Sequence, residues 1–138
     1  MTLDRKWEKF RGGPANAFGQ SSKPRVTINF KGKLFLNRKM YELLGSPKAV
    51  ALFYSREDDQ IAIQPAYDRF AEHFPIRRLG SGGAGIHAST FCRHYKIRVP
   101  TTERFLRPEL TNEGQLILNL RETVTVGGIV RTRQNRER

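Results

Sequence analysis

The sequence predicts a mainly β fold with short helices, formed from two internal repeats in one domain with flexible basic ends. Apolar and polar residues alternate over several short stretches, which is typical of half-buried strands. The order strand, capped helix, proline, strand, turn, strand occurs twice along the chain. Because the chain has 138 residues, both copies fit within a single domain.

The two ends of the chain are predicted to lie outside the folded domain. Residues 1–24 are expected to form a flexible N-terminal arm and linker, because Gly, Pro and Ser dominate the second half of this segment. Trp7 and Phe10 in the arm could contact a neighbouring molecule or fold back on the core. Residues 131–138 contain four arginines and are expected to form a basic C-terminal tail, which leaves residues 25–130 as the domain.

The first repeat, residues 26–64, begins with two alternating strands that flank a turn at Gly32. Asn37 is expected to cap the following helix, because its side chain can accept hydrogen bonds from the free N–H groups of the first turn. Gly45 suits the left-handed residue that ends such a helix. A hairpin follows, with a charged turn at 56–59.

The segment that links the repeats, residues 65–74, is predicted to be a short helix. Pro65 suits the first helical position. An apolar stripe along one side of this helix, expected to pack in the core, would consist of Tyr67, Phe70, Ala71 and Phe74.

The second repeat, residues 76–120, follows the order of the first. Residues 85–88 match 33–36 at an offset of 52, and residues 115–118 match 60–63 at an offset of 55. Ser89 is predicted to cap the second helix in place of Asn37. Alternation at 123–126 predicts one further strand.

Residues 25–66 resemble the AbrB/SpoVT family of bacterial transcription factors. The features that carry the resemblance are the sequence Lys31-Gly32-Lys33-Leu34, the helix end at Leu44-Gly45, and the closing hairpin with Ile61 and Ile63. The tandem arrangement is similar to that of the MraZ-type members, in which both copies lie in one chain. The resemblance implies an interleaved swapped-hairpin barrel, DNA binding and self-assembly.

Two departures from the family pattern stand out. Asn37 occupies the position where the family usually has proline, although either residue begins a helix. The second copy has no basic pair at its turn. We therefore expect residues 31–39 to bind DNA more strongly than the side of the second copy that carries Arg93 and Lys96.

The charge balance indicates a polyanionic partner. The chain has 25 Lys and Arg against 13 Asp and Glu, a formal net charge of +12. Basic residues near the predicted turns and helix starts are candidates for phosphate contacts, although charged residues also protect strand edges without binding anything. The candidate nucleic-acid-binding residues are Lys23, Arg25, Lys31, Lys33, Arg38, Lys39, Arg77, Arg78, Arg131 and Arg133.

These observations favour a non-enzymatic nucleic-acid-binding protein. We expect double-stranded DNA as the partner, and a role in transcription regulation or DNA organisation, with a homo-oligomer or larger assembly. The alternative is a structural subunit of a nucleoprotein or protein assembly, which would contact RNA or partner proteins through its basic surfaces. The two classes differ in whether the isolated protein binds duplex DNA.

Other classes of site fit the sequence poorly. Residues 80–85 satisfy the pattern G-x-G-x-x-G, but no βαβ unit follows, so a flexible surface loop is predicted. His87, Cys92 and His94 match no zinc-binding spacing. We expect no metal, no cofactor and no catalytic group. The lack of a long apolar run and of a secretory signal, together with a single cysteine, predicts a cytoplasmic protein without a membrane partner.

Overall fold

The computed structural model describes residues 23–67 and 72–126. The predicted arm before Lys23 and the predicted C-terminal tail lie outside these ranges. The predictions for Trp7, Phe10, Arg131 and Arg133 therefore concern residues outside the described part of the chain.

The described residues are mainly β, with two short helices, as predicted. The strands form two antiparallel sheets, one with six strands in the order β11-β8-β1-β2-β7-β6 and one with five in the order β5-β3-β4-β10-β9. The elements are β1 (Val26–Ile28), β2 (Lys33–Leu36), α1 (Arg38–Leu43), β3 (Ala49–Ser55), β4 (Gln60–Ala66), β5 (Phe74–Pro75), β6 (Arg77–Arg78), β7 (Ala84–His87), α2 (Ser89–His94), β8 (Glu103–Phe105), β9 (Glu109–Leu110), β10 (Leu116–Asn119) and β11 (Thr123–Thr125).

The strands of the two repeats interleave in both sheets. β1 pairs with β8, β2 with β7, and β4 with β10, so each sheet is held together by contacts between the repeats. Within the described residues the strands close no barrel, because the first sheet ends at β11 and β6 and the second at β5 and β9.

The strand registers place two matched pairs of the predicted repeats directly opposite each other. Leu34 lies directly opposite Ile86 in the β2–β7 ladder, and Ala62 lies opposite Ile117 in the β4–β10 ladder. These are the residues that the sequence matches at offsets of 52 and 55. Both pairs fall inside their ladders, so the local two-fold axis of each antiparallel ladder passes through a matched pair.

The linking segment differs from the predicted helix over 65–74. Pro65 and Ala66 extend β4, where they lie opposite Val50 and Ala49, and Phe74 begins β5. β10 pairs with β4 only as far as Ile63, so Pro65 lies at an edge where its missing N–H is tolerated. Residues 68–71 lie outside the described ranges.

The inward rows of both sheets and the buried sides of the helices form one hydrophobic cluster. Alternation along the short strands places every second residue in this cluster and the others on the outer face of the sheet. Each fully buried Leu or Ile contributes roughly 1.5–3 kcal/mol, so the inward rows fix the registers. The fully buried aliphatic residues of the strands include Ile28, Leu34, Ile61, Ile63, Ile86, Leu116 and Leu118.

The two helices begin in different ways. Asn37 caps α1, as predicted, since its Oδ1 accepts the Met40 N–H at 3.0 Å, and Gly45 follows the helix with φ of 97°. Ser89 is not the cap of α2: it is the first helical residue, and Ala88 occupies the cap position without a side-chain bond. The Ala88 N–H donates to the Gly32 carbonyl at 3.0 Å, so backbone pairing with the β1–β2 turn fixes this helix start.

Candidate nucleic-acid interface

One register row crosses all six strands of the first sheet on its outer side. Adjacent residues in such a row point to the same face of the sheet. Ile28, Leu34 and Ile86, next to this row, are at most 1% exposed and point inward. From β11 to β6 the row contains Val124, Arg104, Thr27, Phe35, Gly85 and Arg77.

The neighbouring rows add further positive charge. Lys33 lies opposite His87 on one side of Phe35. On the other side of Phe35, the Asn37 N–H donates to the Arg25 carbonyl at 3.1 Å. This bond continues the β1–β2 ladder by one residue pair and places Arg25 opposite Asn37. We call this surface the basic face. It is defined by Arg25, Lys33, Arg77, His87 and Arg104 around Phe35.

The strand positions of the basic face carry no carboxylate among the described residues. Glu103 is the acidic residue of these six strands, and it lies in the inward register opposite Ile28, where it is buried and accepts the Thr123 hydroxyl at 2.8 Å. Clustered cations without counter-charges create a positive potential that attracts phosphate groups.

One end of β2 carries Lys31 in the β1–β2 turn. The Asn29 Oδ1 accepts the N–H groups of Lys31 and Lys33, both at 3.0 Å, which fixes the turn. The turn lies beside the start of α2. The two border a cavity of about 230 Å³, whose lining includes Lys31, Arg93 and Arg98. Lys31 and Arg93 therefore line the same cavity. The predicted contrast in DNA binding between the first-copy side and the second-copy side stays a prediction.

The other end of β2 gathers four of the predicted cations around Asn37. The Asn37 side chain accepts the Arg25 N–H at 3.0 Å and donates to the Lys23 carbonyl at 2.7 Å, so it holds the backbone of both residues. Lys39 is exposed in the first turn of α1. Arg38 forms an exposed ion pair with Glu42 at 3.3 Å, which contributes little stability.

The predicted cations therefore lie along β2 rather than at one turn. Lys31 lies at one end, Lys33 on the basic face, and the group around Asn37 at the other end. The four residues of β2 span roughly 10 Å.

The neighbours Arg77 and Arg78 point to opposite sides of the first sheet. Arg77 belongs to the basic face because it lies opposite Gly85. Arg78 lies opposite Ala84, in the inward register, and its guanidinium is 4.9 Å from the centroid of the Tyr41 ring. This cation–π contact occupies Arg78 on the α1 side, so it is not a residue of the basic face.

Phe35, His87 and Arg104 of the basic face were not predicted as site residues. Strict alternation around the buried Leu34 and Leu36 was sufficient to place Phe35 outward. No local signal could place Arg104, because the β1–β8 ladder joins residues far apart in the sequence.

The glycine-rich segment 80–85 forms a hydrogen-bonded turn that is exposed at Gly80 and Ser81 and enters β7 at Ala84. The Leu79 N–H donates to the Gly83 carbonyl, and the Gly82 N–H to the Leu79 carbonyl, both at 3.0 Å. A Cβ at Gly83 would lie 2.6 Å from the Leu36 carbonyl oxygen, so the close approach of the two chain segments requires glycine there. Gly83 therefore has a structural role.

Metal and thiol chemistry find little support in the described residues. Residues 23–67 and 72–126 contain no group of three His, Cys, Asp or Glu side chains placed to hold a metal ion. Burial raises the pKa of the Cys92 thiol to about 11, which keeps it protonated near neutral pH and makes it a poor nucleophile. None of the helices described is long and apolar enough to cross a membrane.

The chain matches no family model, no curated protein and no solved structure. The resemblance to the AbrB/SpoVT family therefore stays an interpretation of the sequence. What the geometry offers chemically is a set of fixed cations around one aromatic ring, which suits the binding of a phosphate polymer.

Proposed function

We propose that this chain is a nucleic-acid-binding protein without enzymatic activity, which holds its polymer along the basic face. The observation that supports this most directly is the register row in which Arg104 and Arg77 flank Phe35. Lys33 and Arg25 add two cations in the adjacent rows. The net charge of +12 favours the approach of any polyanion.

The biological role we propose is that of a DNA-binding transcription regulator or DNA-organising factor of the AbrB/MraZ type, in the cytoplasm and as an oligomer. The interleaved strands and the two-fold register support a swapped-hairpin arrangement of this kind. For every phosphate that the protein no longer neutralises, the slope of log affinity against log salt becomes shallower by about 0.7–0.9.

A structural subunit of a larger assembly is the second candidate. The observation in its favour is the outer face of the five-stranded sheet, where the apolar residues Phe53, Ala62 and Ile117 lie in one register row that ends at Glu109 on the edge strand β9. Phe53 is 50% exposed. Such an apolar row suits contact with another protein.

A charge-matched comparison tests the proposed function. Arg77→Gln with Arg104→Gln removes two charges from the basic face. Arg56→Gln with Arg121→Gln removes two charges near the β3–β4 turn. Arg56 lies in that turn, and the guanidinium of Arg121, which lies between β10 and β11, donates to the Glu57 carbonyl at 3.0 Å. Binding of labelled duplex and single-stranded oligonucleotides would be measured by fluorescence anisotropy at two salt concentrations, after circular dichroism confirms the fold.

We expect the face variant to weaken binding and to lower the salt slope by about 1.4–1.8, the value for two phosphate contacts. The control variant should change the slope by less than half of that. Equal losses in the two variants would show that binding depends on net charge alone. Failure of the wild-type chain to bind any oligonucleotide would overturn the proposed function.

A further inference from the structure

Phe35 lies at the centre of the basic face with small neighbours on both sides. Thr27 and Gly85 are the residues directly opposite it on β1 and β7. A Cβ at Gly85 would lie 3.6 Å from Cε1 and 3.7 Å from Cδ1 of the Phe35 ring. Since Gly85 has no side chain, the ring borders a depression between itself and Arg77.

This depression is a cleft of about 300 Å³, lined by Phe35 and Gly85, by the polar or charged side chains of Lys33, Arg77 and His87, and by the apolar residues Leu79 and Ile86. A second cleft of about 360 Å³ shares Arg77 and His87. A volume near 300 Å³ is at the lower end for small-molecule pockets. An aromatic wall with cations at the rim suits a flat heteroaromatic ring attached to a phosphate.

The width of the sheet limits the contacts that paired nucleic acid can make with the basic face. Six strands at a spacing of about 4.8 Å span roughly 24 Å, whereas the major groove of DNA is about 12 Å wide. The basic face therefore cannot enter the groove, and a duplex lying on it would offer its phosphates alone. Bases inside a duplex are already stacked, so Phe35 would have no base to contact.

We propose that Phe35 and the cleft at Gly85 form a binding site for single-stranded nucleic acid. One unpaired base stacks on the Phe35 ring over the cleft, and the backbone phosphates on either side contact Lys33, Arg77 and Arg104. This inference rests on the proposed function and names the class of polymer that the basic face binds. Unpaired DNA and RNA share the chemistry of base and phosphate, so the experiment includes both.

Two variants of the full chain test the stacking site, with one matched control. Phe35→Leu keeps an apolar side chain but removes the aromatic ring. Gly85→Val fills the cleft with a residue that suits a strand, and its Cβ would sit at an ordinary contact distance from the ring. Phe53→Leu makes the same substitution as the first variant at an exposed phenylalanine of the other sheet.

The probes are fluorescein-labelled dT12, U12 and a 12-base-pair DNA duplex, with anisotropy measured at one salt concentration. We expect Phe35→Leu and Gly85→Val to weaken single-strand binding by roughly 5- to 150-fold, which corresponds to the loss of one stacked base. Duplex binding should change by less than about two-fold, and Phe53→Leu should change neither. Loss for dT12 alone or for U12 alone would assign the polymer as DNA or RNA.

Photo-crosslinking locates the base independently of any variant. A 12-mer with 5-iodouracil should cross-link the wild-type chain at Phe35, as identified by mass spectrometry. If single-strand binding is unchanged in both variants and the cross-link lies elsewhere, the stacking site is overturned, while salt-dependent binding that needs Arg77 and Arg104 would leave the proposed function standing. If Phe35→Leu fails to fold by circular dichroism, Gly85→Val and the cross-link decide.

Discussion

Glycine at position 32 is required both by the backbone conformation of its turn and by a close contact with a distant part of the chain. Its φ of 80° is the conformation that the β1–β2 turn requires. A Cβ there would also lie 2.9 Å from Cα of Ser89, at the start of α2. The sequence predicts the turn from the glycine itself, but the contact with α2 depends on a residue 57 positions away.

We expect Gly32→Ala to destabilise the fold more than Gly114→Ala. Gly114 has a similar φ of 85° but has no atom within 4 Å of the position a Cβ would take, so its substitution measures the backbone penalty alone, about 1 kcal/mol. Gly32→Ala must also displace the backbone of α2, and we expect it to cost about 2 kcal/mol more.

Urea unfolding followed by circular dichroism would give both free energies of unfolding. Equal values for the two variants would contradict the close contact between the β1–β2 turn and α2.

At the level of single elements, the two helices differ in whether local sequence or tertiary contacts determine where they begin. The α1 start follows from Asn37 and its neighbours in the sequence, so it could be predicted. The α2 start depends on the Ala88–Gly32 backbone bond between the repeats, and the cap predicted at Ser89 was wrong because nothing local records that bond. The helix predicted to begin at Pro65 was wrong for the same reason. Pairing with Val50 in the β3–β4 ladder outweighs the preference of proline for a helix start.

Asn37 is expected to stabilise both the helix that it caps and the chain segment before β1. Asn37→Ala removes the acceptor for the Met40 and Arg25 N–H groups and the donor to the Lys23 carbonyl. We expect a decrease in stability of about 2 kcal/mol, the upper end for a cap, because the Arg25 N–H is also left without its partner. Asn37→Asp keeps the acceptor and should destabilise less.

Thermal and urea unfolding of both Asn37 variants would measure these decreases. A change below about 0.5 kcal/mol in Asn37→Ala would show that water replaces the side chain at no cost.

Across the whole molecule, the strands and their repeat could be predicted from the sequence better than the order of the strands in the sheets. The offsets that match Leu34 to Ile86 and Ala62 to Ile117 come from local patterns, and these residues do face each other. Alternation also determines that Phe35 points outward once Leu34 is buried. The row that joins Arg104 to Phe35 could not be predicted, because it requires the order of six strands from both repeats.

The two outer faces differ in chemistry. The first sheet presents cations around one ring, whereas the second presents Phe53, Ala62 and Ile117 in one row. A molecule with this polarity can hold a polyanion on one side while a protein partner covers the other, so the two candidate functions use separate surfaces. Variants of the basic face and of Phe53 therefore test them independently.

The interleaving predicts that neither repeat folds alone as a monomer. Fragments 1–69 and 70–138 would each lack the β1–β8, β2–β7 and β4–β10 ladders, which join the repeats in both sheets. Each fragment would expose the core residues that the other covers, and we expect no cooperative unfolding of either as a monomer.

Mixed at equal concentration, the two fragments should associate one to one and recover the circular dichroism spectrum of the intact chain. Ile86→Asp in the second fragment places a charge opposite the buried Leu34 and should prevent association. The readouts are analytical ultracentrifugation and thermal unfolding, and a monomeric fragment that unfolds at the temperature of the intact chain would show that the repeats are independent units.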